Sequence, residues 1–243
     1  CPGEPPMRRY LIVDDNPEFA DNLGEIVRDL GDEVEVAESG QAALGLAARA
    51  RFDAVVTDMR MPFMSGAELV HRVRRVDPGL AAIVVTAYVK DHELEAARRE
   101  GLLAALPKPV PVGRLLELLR AARRDGLVVV IEDDAALRDN LCEALRGRGF
   151  ASVMAGSVLE TERLGPVKPF CALVDLRLPG GPAGTAMQRL HAKFPDLPML
   201  VLSAYPDEPP LPHAGFFPKP FDTAALLEAV ERHHARPPGR EGA

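Results

Sequence analysis

The chain has 243 residues, enough for one large domain or two ordinary ones. Its composition is that of a globular chain, 47% hydrophobic and 27% charged, and 5% aromatics without Trp predict cores built from Ala, Val, Leu and Ile. The net charge of −7 argues against a nucleic-acid surface, which needs clustered Lys and Arg, and no apolar run approaches the roughly 20 residues of a membrane span.

Residues 1–6, CPGEPP, are polar and turn-rich, unlike a signal peptide, and read as linker or upstream extension. From there short apolar runs alternate with longer amphipathic ones. Strands are expected at Tyr10–Val13, Glu33–Val36, Ala54–Thr57, Ala82–Val85 and Leu103–Ala105. Helices are expected at Pro17–Leu30, Gly40–Ala50, Gly66–Val76, Asp91–Glu100 and Val112–Arg123. Phe19, Leu23, Ile26, Val27 and Leu30 fall on one helical face, as do Leu115, Leu118 and Leu119. Asp125-Gly126 then leads directly into a second series of strands: Val128–Ile131, Ala151–Met154, Ala172–Val174, Met199–Leu202 and Gly215–Phe217. Its helices are expected at Ala135–Arg146, Ser157–Leu164, Pro182–Phe194 and Thr223–His234. The stretch Pro206–Pro212 holds four prolines, which a helix interior does not sustain, so a loop is predicted where the first series has its fourth helix. The tail, Arg236–Ala243, reads as disordered. Cys142 and Cys171 lie in apolar periodic segments and read as core thiols. With Cys1 they show no metal-type spacing, and a reducing cytoplasm fits.

The two series are a repeat. RYLIVDDN matches LVVVIEDD, AVVTDMRMP matches ALVDLRLP, IVVTAY matches LVLSAY, and LPKP matches FPKP, in the same order and about 117 residues apart. The expected fold is α/β: two doubly wound (βα)5 domains, 8–124 and 127–235, flanked by linker or disordered ends 1–7 and 236–243. Each would have a parallel sheet with right-handed crossovers and helices on both faces. Fully apolar strands fit burial on both faces of such a sheet.

In an open parallel sheet the reactive crevice lies at the carboxyl ends of the strands. Asp14 and Asp15 end the first strand, Asp58 the third and Thr86 the fourth, and Lys108 follows the fifth. Three converging carboxylates repel and call for a hard cation such as Mg²⁺. Asp58 could then act as a nucleophile toward a phosphoryl group, with Lys108 and Thr86 serving two of its oxygens. The second series offers Glu132, Asp133, Asp175, Ser203 and Lys219 in the same roles.

With the run MRMPFMSGAEL after Asp58, this set resembles the response-regulator receiver domain of two-component signalling, a flavodoxin-like fold with strand order 2-1-3-4-5. The resemblance covers roughly Arg8–Arg124 and again Leu127–Ala235. It implies Asp58 and Asp175 as phosphoacceptors. It implies Mg²⁺ held by Asp14, Asp15, Asp58 and the Arg60 carbonyl, and by Glu132, Asp133, Asp175 and the Arg177 carbonyl. It also implies cis peptides at Lys108-Pro109 and Lys219-Pro220. Arg60, Arg177, Tyr88 and Tyr205 occupy positions that line pocket access and tune phosphoryl lifetime in the family. The family's switch aromatic is replaced by Ala105 in the first module, whereas Phe216 stands there in the second. Expected partners are a histidine kinase or histidine phosphotransfer protein and a downstream effector, with no direct nucleic-acid or membrane contact. Homodimerisation through the first module is open to it. The chain is then a phosphoacceptor and not an enzyme, standing alone or as the receiver portion of a hybrid histidine kinase. A Mg-dependent phosphatase of the haloacid-dehalogenase type fits poorly, because its nucleophile sits in a DxD motif on the first strand. A purely structural pseudo-receiver pair conflicts with the intact acids and lysines.

Overall fold

The computed structural model describes residues 7–87, 92–165, 167–205 and 209–235. The chain divides into two compact units, Cys1–Arg124 and Asp125–Ala243.

In the first unit β1 (Arg9–Val13), β2 (Glu33–Ala37), β3 (Ala54–Asp58), β4 (Ala81–Thr86) and β5 (Ala104–Pro107) form one parallel sheet in the order β2-β1-β3-β4-β5. Helices α1 (Pro17–Arg28), α2 (Gly40–Ala47), α3 (Gly66–Val76), α4 (His92–Arg99) and α5 (Val112–Ala121) connect them. Strands β3 and β4 are buried throughout because helices cover both faces. One face carries Leu11, Val13, Val55 and Val84 against Ala43 of α2, Leu69 and Val73 of α3, and Leu94 of α4. On the other, the buried Tyr10 hydroxyl donates to the Leu119 carbonyl of α5 at 3.1 Å, and burial pushes its pKa up to about 12. The helix starts follow from their caps. Asn16 accepts from Phe19 N with Pro17 in the first turn, Ser39 accepts from Ala42 N, and Ser65 accepts from Glu68 N.

The second unit repeats the plan. Strands β6 (Leu127–Ile131), β7 (Ala151–Ala155), β8 (Cys171–Asp175), β9 (Met199–Ser203) and β10 (Gly215–Pro218) are ordered β10-β9-β8-β6-β7, all parallel. Its helices are α6 (Ala135–Gly147), α7 (Val158–Glu162), α8 (Thr185–Lys193) and α9 (Thr223–His234). Among the described residues no helix lies between β9 and β10; Pro206–Glu208 of the proline-rich stretch fall outside them. Two helices are shorter than their sequence suggests. Helix α8 begins at Thr185 and not at Pro182, because Gly184 at φ 81° holds the chain in the left-handed region just before it. Helix α7 stops at Glu162, shortly before Gly165-Pro166. Cys142 and Cys171 are free and buried, as core thiols should be, and burial pushes both thiols up. No helix among the described residues is long and apolar enough to cross a membrane. Tyr88, Asp91 and the tail 236–243 lie outside the described residues.

Candidate functional site

Strands β1 and β3 are neighbours, so their last residues meet. Ile12 pairs with Val56 and Val13 with Thr57, which places Asp14 beside Asp58. Strand β4 pairs with β3 on its far side, Asp58 opposite Val85, and brings Thr86 to the same end. Strand β5 pairs Pro107 with Thr86, and Lys108 N donates to the Thr86 carbonyl at 2.8 Å, which fixes where the lysine leaves the sheet. Asp14, Asp58 and Thr86 are buried to 2%, 8% and 1% exposure, and Asp15 is exposed. The Lys108-Pro109 peptide is cis.

The carboxylates converge as the sequence implied. One oxygen each from Asp14, Asp15 and Asp58 lies within 4.8 Å of the others, a donor set of hard oxygens that fits Mg²⁺. Lys108 Nζ stands 3.1 Å from Asp14 Oδ2 and 3.1 Å from Asp58 Oδ2. Burial raises the Asp58 pKa, and the Lys108 ammonium and the Arg60 backbone N–H pull against that rise while Asp14 adds to it. Burial works against the Lys108 charge, but its hydrogen bonds to Asp14 and Asp58 prevail and raise its pKa. Asp14 is oriented from behind by Asn16 N at 2.9 Å.

Two features not singled out from the sequence shape this site. Gly66 opens α3 directly under Asp58. Its N–H donates to the Met59 carbonyl at 2.8 Å, and a Cβ there would stand 2.4 Å from the Asp58 carbonyl oxygen. Only glycine lets α3 approach so closely. Phe19 of α1 places its ring 5.3 Å from Lys108 Nζ. The glycine stood in the quoted motif; nothing in the sequence alone put Phe19 next to Lys108.

The second site repeats the geometry with tighter contacts. Glu132, Asp133 and Asp175 again offer three oxygens within 4.8 Å. Lys219 Nζ lies 2.7 Å from Glu132 Oε2 and 2.5 Å from Asp175 Oδ2, and Lys219 N donates to the Ser203 carbonyl at 2.7 Å. Burial raises the Glu132 pKa against the pull of Lys219. Burial opposes the Lys219 charge, but Asp175 and Glu132 prevail and raise its pKa. Arg177 N donates to Asp175 Oδ1 at 2.8 Å, and the Arg177 guanidinium stacks 3.9 Å from the Tyr205 ring centroid. The Ser203 hydroxyl donates to the Tyr205 carbonyl at 3.1 Å and accepts from Tyr205 N at 3.2 Å. Arg138 of α6 donates to the Glu132 carbonyl at 2.7 Å. The Lys219-Pro220 peptide is cis.

A parallel sheet of this strand order, ending in an acidic cluster spanned by one lysine, defines a class. Residues 10–120 match the family model of the response regulator receiver domain. The chain is 69% identical over 228 residues to a response regulator receiver protein of Anaeromyxobacter sp. (strain Fw109-5), covering 94% of this chain and 96% of that protein. The chain therefore belongs to the response regulator receiver family, the phosphoacceptors of two-component signalling. It is also 34% identical over 109 residues to the transcriptional regulatory protein GlrR of Escherichia coli (strain K12), which is 45% of this chain and 24% of that protein. Among solved structures it is similar to a CheY-like receiver domain protein from Methanospirillum hungatei JF-1. That likeness has 31% identity and a TM-score of 0.45, covering 47% of this chain and 91% of that one.

Proposed function

We propose that the chain carries two receiver modules, residues 8–124 and 127–235, which accept phosphate on Asp58 and Asp175 in a two-component phosphorelay. The observation that carries this reading is the lysine placed between two strand-end carboxylates in both units: Lys108 at 3.1 Å from Asp14 and Asp58, and Lys219 at 2.7 and 2.5 Å from Glu132 and Asp175.

The phosphodonor is a histidine kinase or a histidine phosphotransfer protein. An Asp58 carboxylate oxygen attacks phosphorus in line. The P–N bond to the donor imidazole breaks, the P–O bond to Asp58 forms, and the imidazole nitrogen keeps the electron pair and takes up a proton. Asp14, Asp15, Asp58 and the Arg60 carbonyl would hold Mg²⁺ in the first module. Glu132, Asp133, Asp175 and the Arg177 carbonyl would hold it in the second. When bound, the ion neutralises the charge of the phosphoryl oxygens and the acids around them. Lys108 and Lys219 keep their charge beside the acceptor and, once it is phosphorylated, turn to a phosphoryl oxygen. The Thr86 and Ser203 hydroxyls serve another. Ser203 must first leave its bonds to the Tyr205 backbone, a local rearrangement through which the second module signals to an effector. The work is done in the cytoplasm by a phosphoacceptor that assists its own phosphorylation and dephosphorylation.

Chemical trapping tests the reading. The chain is incubated with acetyl phosphate and Mg²⁺, then reduced with borohydride, which converts an aspartyl phosphate to homoserine. Peptide mapping should place homoserine at positions 58 and 175, with none after chelation by EDTA. Label at other residues, or none with Mg²⁺ present, contradicts it.

A further inference from the structure

Glu132 and Asp133 are neighbours in the chain, so a single peptide unit joins two of the three acids of the second cluster. Turning that peptide would re-aim both carboxylates. The sheet holds the backbone only up to it. Strand β6 ends at Ile131, and Glu132 N donates to the Ala155 carbonyl of β7 at 3.0 Å. The next group, the Glu132 carbonyl, accepts from Arg138 Nη1 of α6 at 2.7 Å. The ladder therefore fixes how the chain enters Glu132, and Arg138 fixes how it leaves.

The guanidinium occupies room left for it. A Cβ on Gly156, which follows β7, would stand 2.7 Å from Arg138 Nη1, so a side chain there would crowd the arginine off its acceptor. On the other side Gly156 N donates to Glu160 Oε2 at 2.6 Å, which ties the turn after β7 to α7. In the first unit both positions are different. Ala20, fully buried, stands in the place of Arg138, and Glu38, exposed, in the place of Gly156. An alanine side chain has no donor for the strand-end carbonyl. The arginine and the glycine that makes room for it come as a pair.

We propose that Arg138 is a positioning residue for the second site: by holding the peptide between Glu132 and Asp133 it sets the affinity of that site for Mg²⁺. By charge alone a guanidinium would oppose a cation. Its contact is with a backbone carbonyl, however, and the charges that most move the Glu132 pKa are Lys219 and Asp175. Orientation therefore outweighs repulsion, and loss of the arginine weakens binding. Groups that orient metal ligands from behind typically contribute about 10–100-fold in affinity. This inference rests on the Mg²⁺-dependent phosphoacceptor reading of the second unit.

The test is calorimetric titration of Mg²⁺ into the full chain carrying Asp15→Asn and Asp58→Asn, which silence the first site. Arg138→Ala in that chain should weaken Mg²⁺ binding at least about tenfold. Gly156→Ala keeps the charge but crowds the guanidinium. It should weaken binding about threefold or more when Arg138 is present and change it less than about twofold in Arg138→Ala, as coupled residues do. Acetyl phosphate labelling of Asp175, read in Asp58→Asn, gives a second measure. With Arg138→Ala the Mg²⁺ concentration for half-maximal rate should rise about tenfold, and the rate at saturating Mg²⁺ should stay within about twofold. An arginine that only stabilises the fold would lower Tm and leave both Mg²⁺ titrations where they were. Binding that is unchanged or tighter in Arg138→Ala, or a Gly156→Ala effect of equal size with and without the arginine, overturns the inference. If Arg138→Ala does not fold, Gly156→Ala decides alone, and unchanged Mg²⁺ binding there overturns it. Absence of Mg²⁺ binding with Arg138 in place sinks the Mg²⁺ reading of the second unit, and this inference with it.

Discussion

At each site one ammonium holds together carboxylates that would otherwise repel. Burial raises the Asp58 pKa, so the fold disfavours its anion. A raised carboxylate contributes stability that is present below the ordinary carboxylate pKa and is lost as pH rises through the folded value. At neutral pH the ionised Asp58 therefore costs stability. Asp58→Asn is expected to raise Tm in EDTA at pH 7, and the gain should shrink as pH falls through the carboxylate range; calorimetry across pH checks it. Gly66→Ala should act in the opposite direction. Its methyl would stand 2.4 Å from the Asp58 carbonyl oxygen, and such overpacking costs about 1–3 kcal/mol in urea unfolding. It should also slow labelling of Asp58, because α3 must retreat from the acceptor strand. Phe63 is a different case. It sits at φ 66° with its side chain fully exposed, where the second unit has Gly180 at φ 99°. Left-handed backbone costs a residue of this kind about 1–2 kcal/mol, and asparagine tolerates it better, so Phe63→Asn should stabilise by about 1 kcal/mol. The acids, hydroxyls and lysines of both sites were legible in the sequence because chemistry restricts their types. The Phe19 ring beside Lys108 was not, because an apolar residue on a helix face announces burial and no particular neighbour.

The units differ most at their fourth crossover. In the first, α4 covers α3, and Val70, Val73 and Arg74 are buried. Arg74 donates to the Gly101 carbonyl just past α4, and burial lowers its pKa to about 10. The matching residues of α8 are Met187, Leu190 and His191; the first two are buried like their counterparts, and only His191, in the place of Arg74, is exposed. An exposed histidine in the place of a buried arginine fits a helix edge that, among the described residues, no fourth helix covers. Truncation should separate the two cases. Arg74→Ala leaves a buried carbonyl without its donor and a void, and should cost about 2–3 kcal/mol. His191→Ala should stay within about 0.5 kcal/mol, as exposed substitutions do. Proline content is what predicted an altered crossover, since each proline removes a donor, and among the described residues no helix stands there. The later start of α8 was not readable, because Pro182 suits a first helical turn and the left-handed backbone of Gly184 is a tertiary choice. Its N–H bonds the Leu176 carbonyl at 2.6 Å, and Pro210 packs where its Cβ would be.

At the scale of the whole molecule, duplication gave two sheets of one strand order and two acidic clusters, each spanned by its own lysine. The repeat of four motif blocks in register made the architecture legible, because parallel β–α alternation leaves few topologies open. The inequality of the units was legible at the proline-rich stretch and at Ala105 and Phe216, and less so in surface replacements such as Leu30 by Arg148, which change no periodicity. The central claim is that both units are chemically competent, and intact-mass analysis after acetyl phosphate and Mg²⁺ tests it most directly. The native chain should gain two phosphoryl groups, Asp58→Asn one, Asp175→Asn one and the double variant none; a native chain that never gains a second phosphoryl group would contradict the competence of both units.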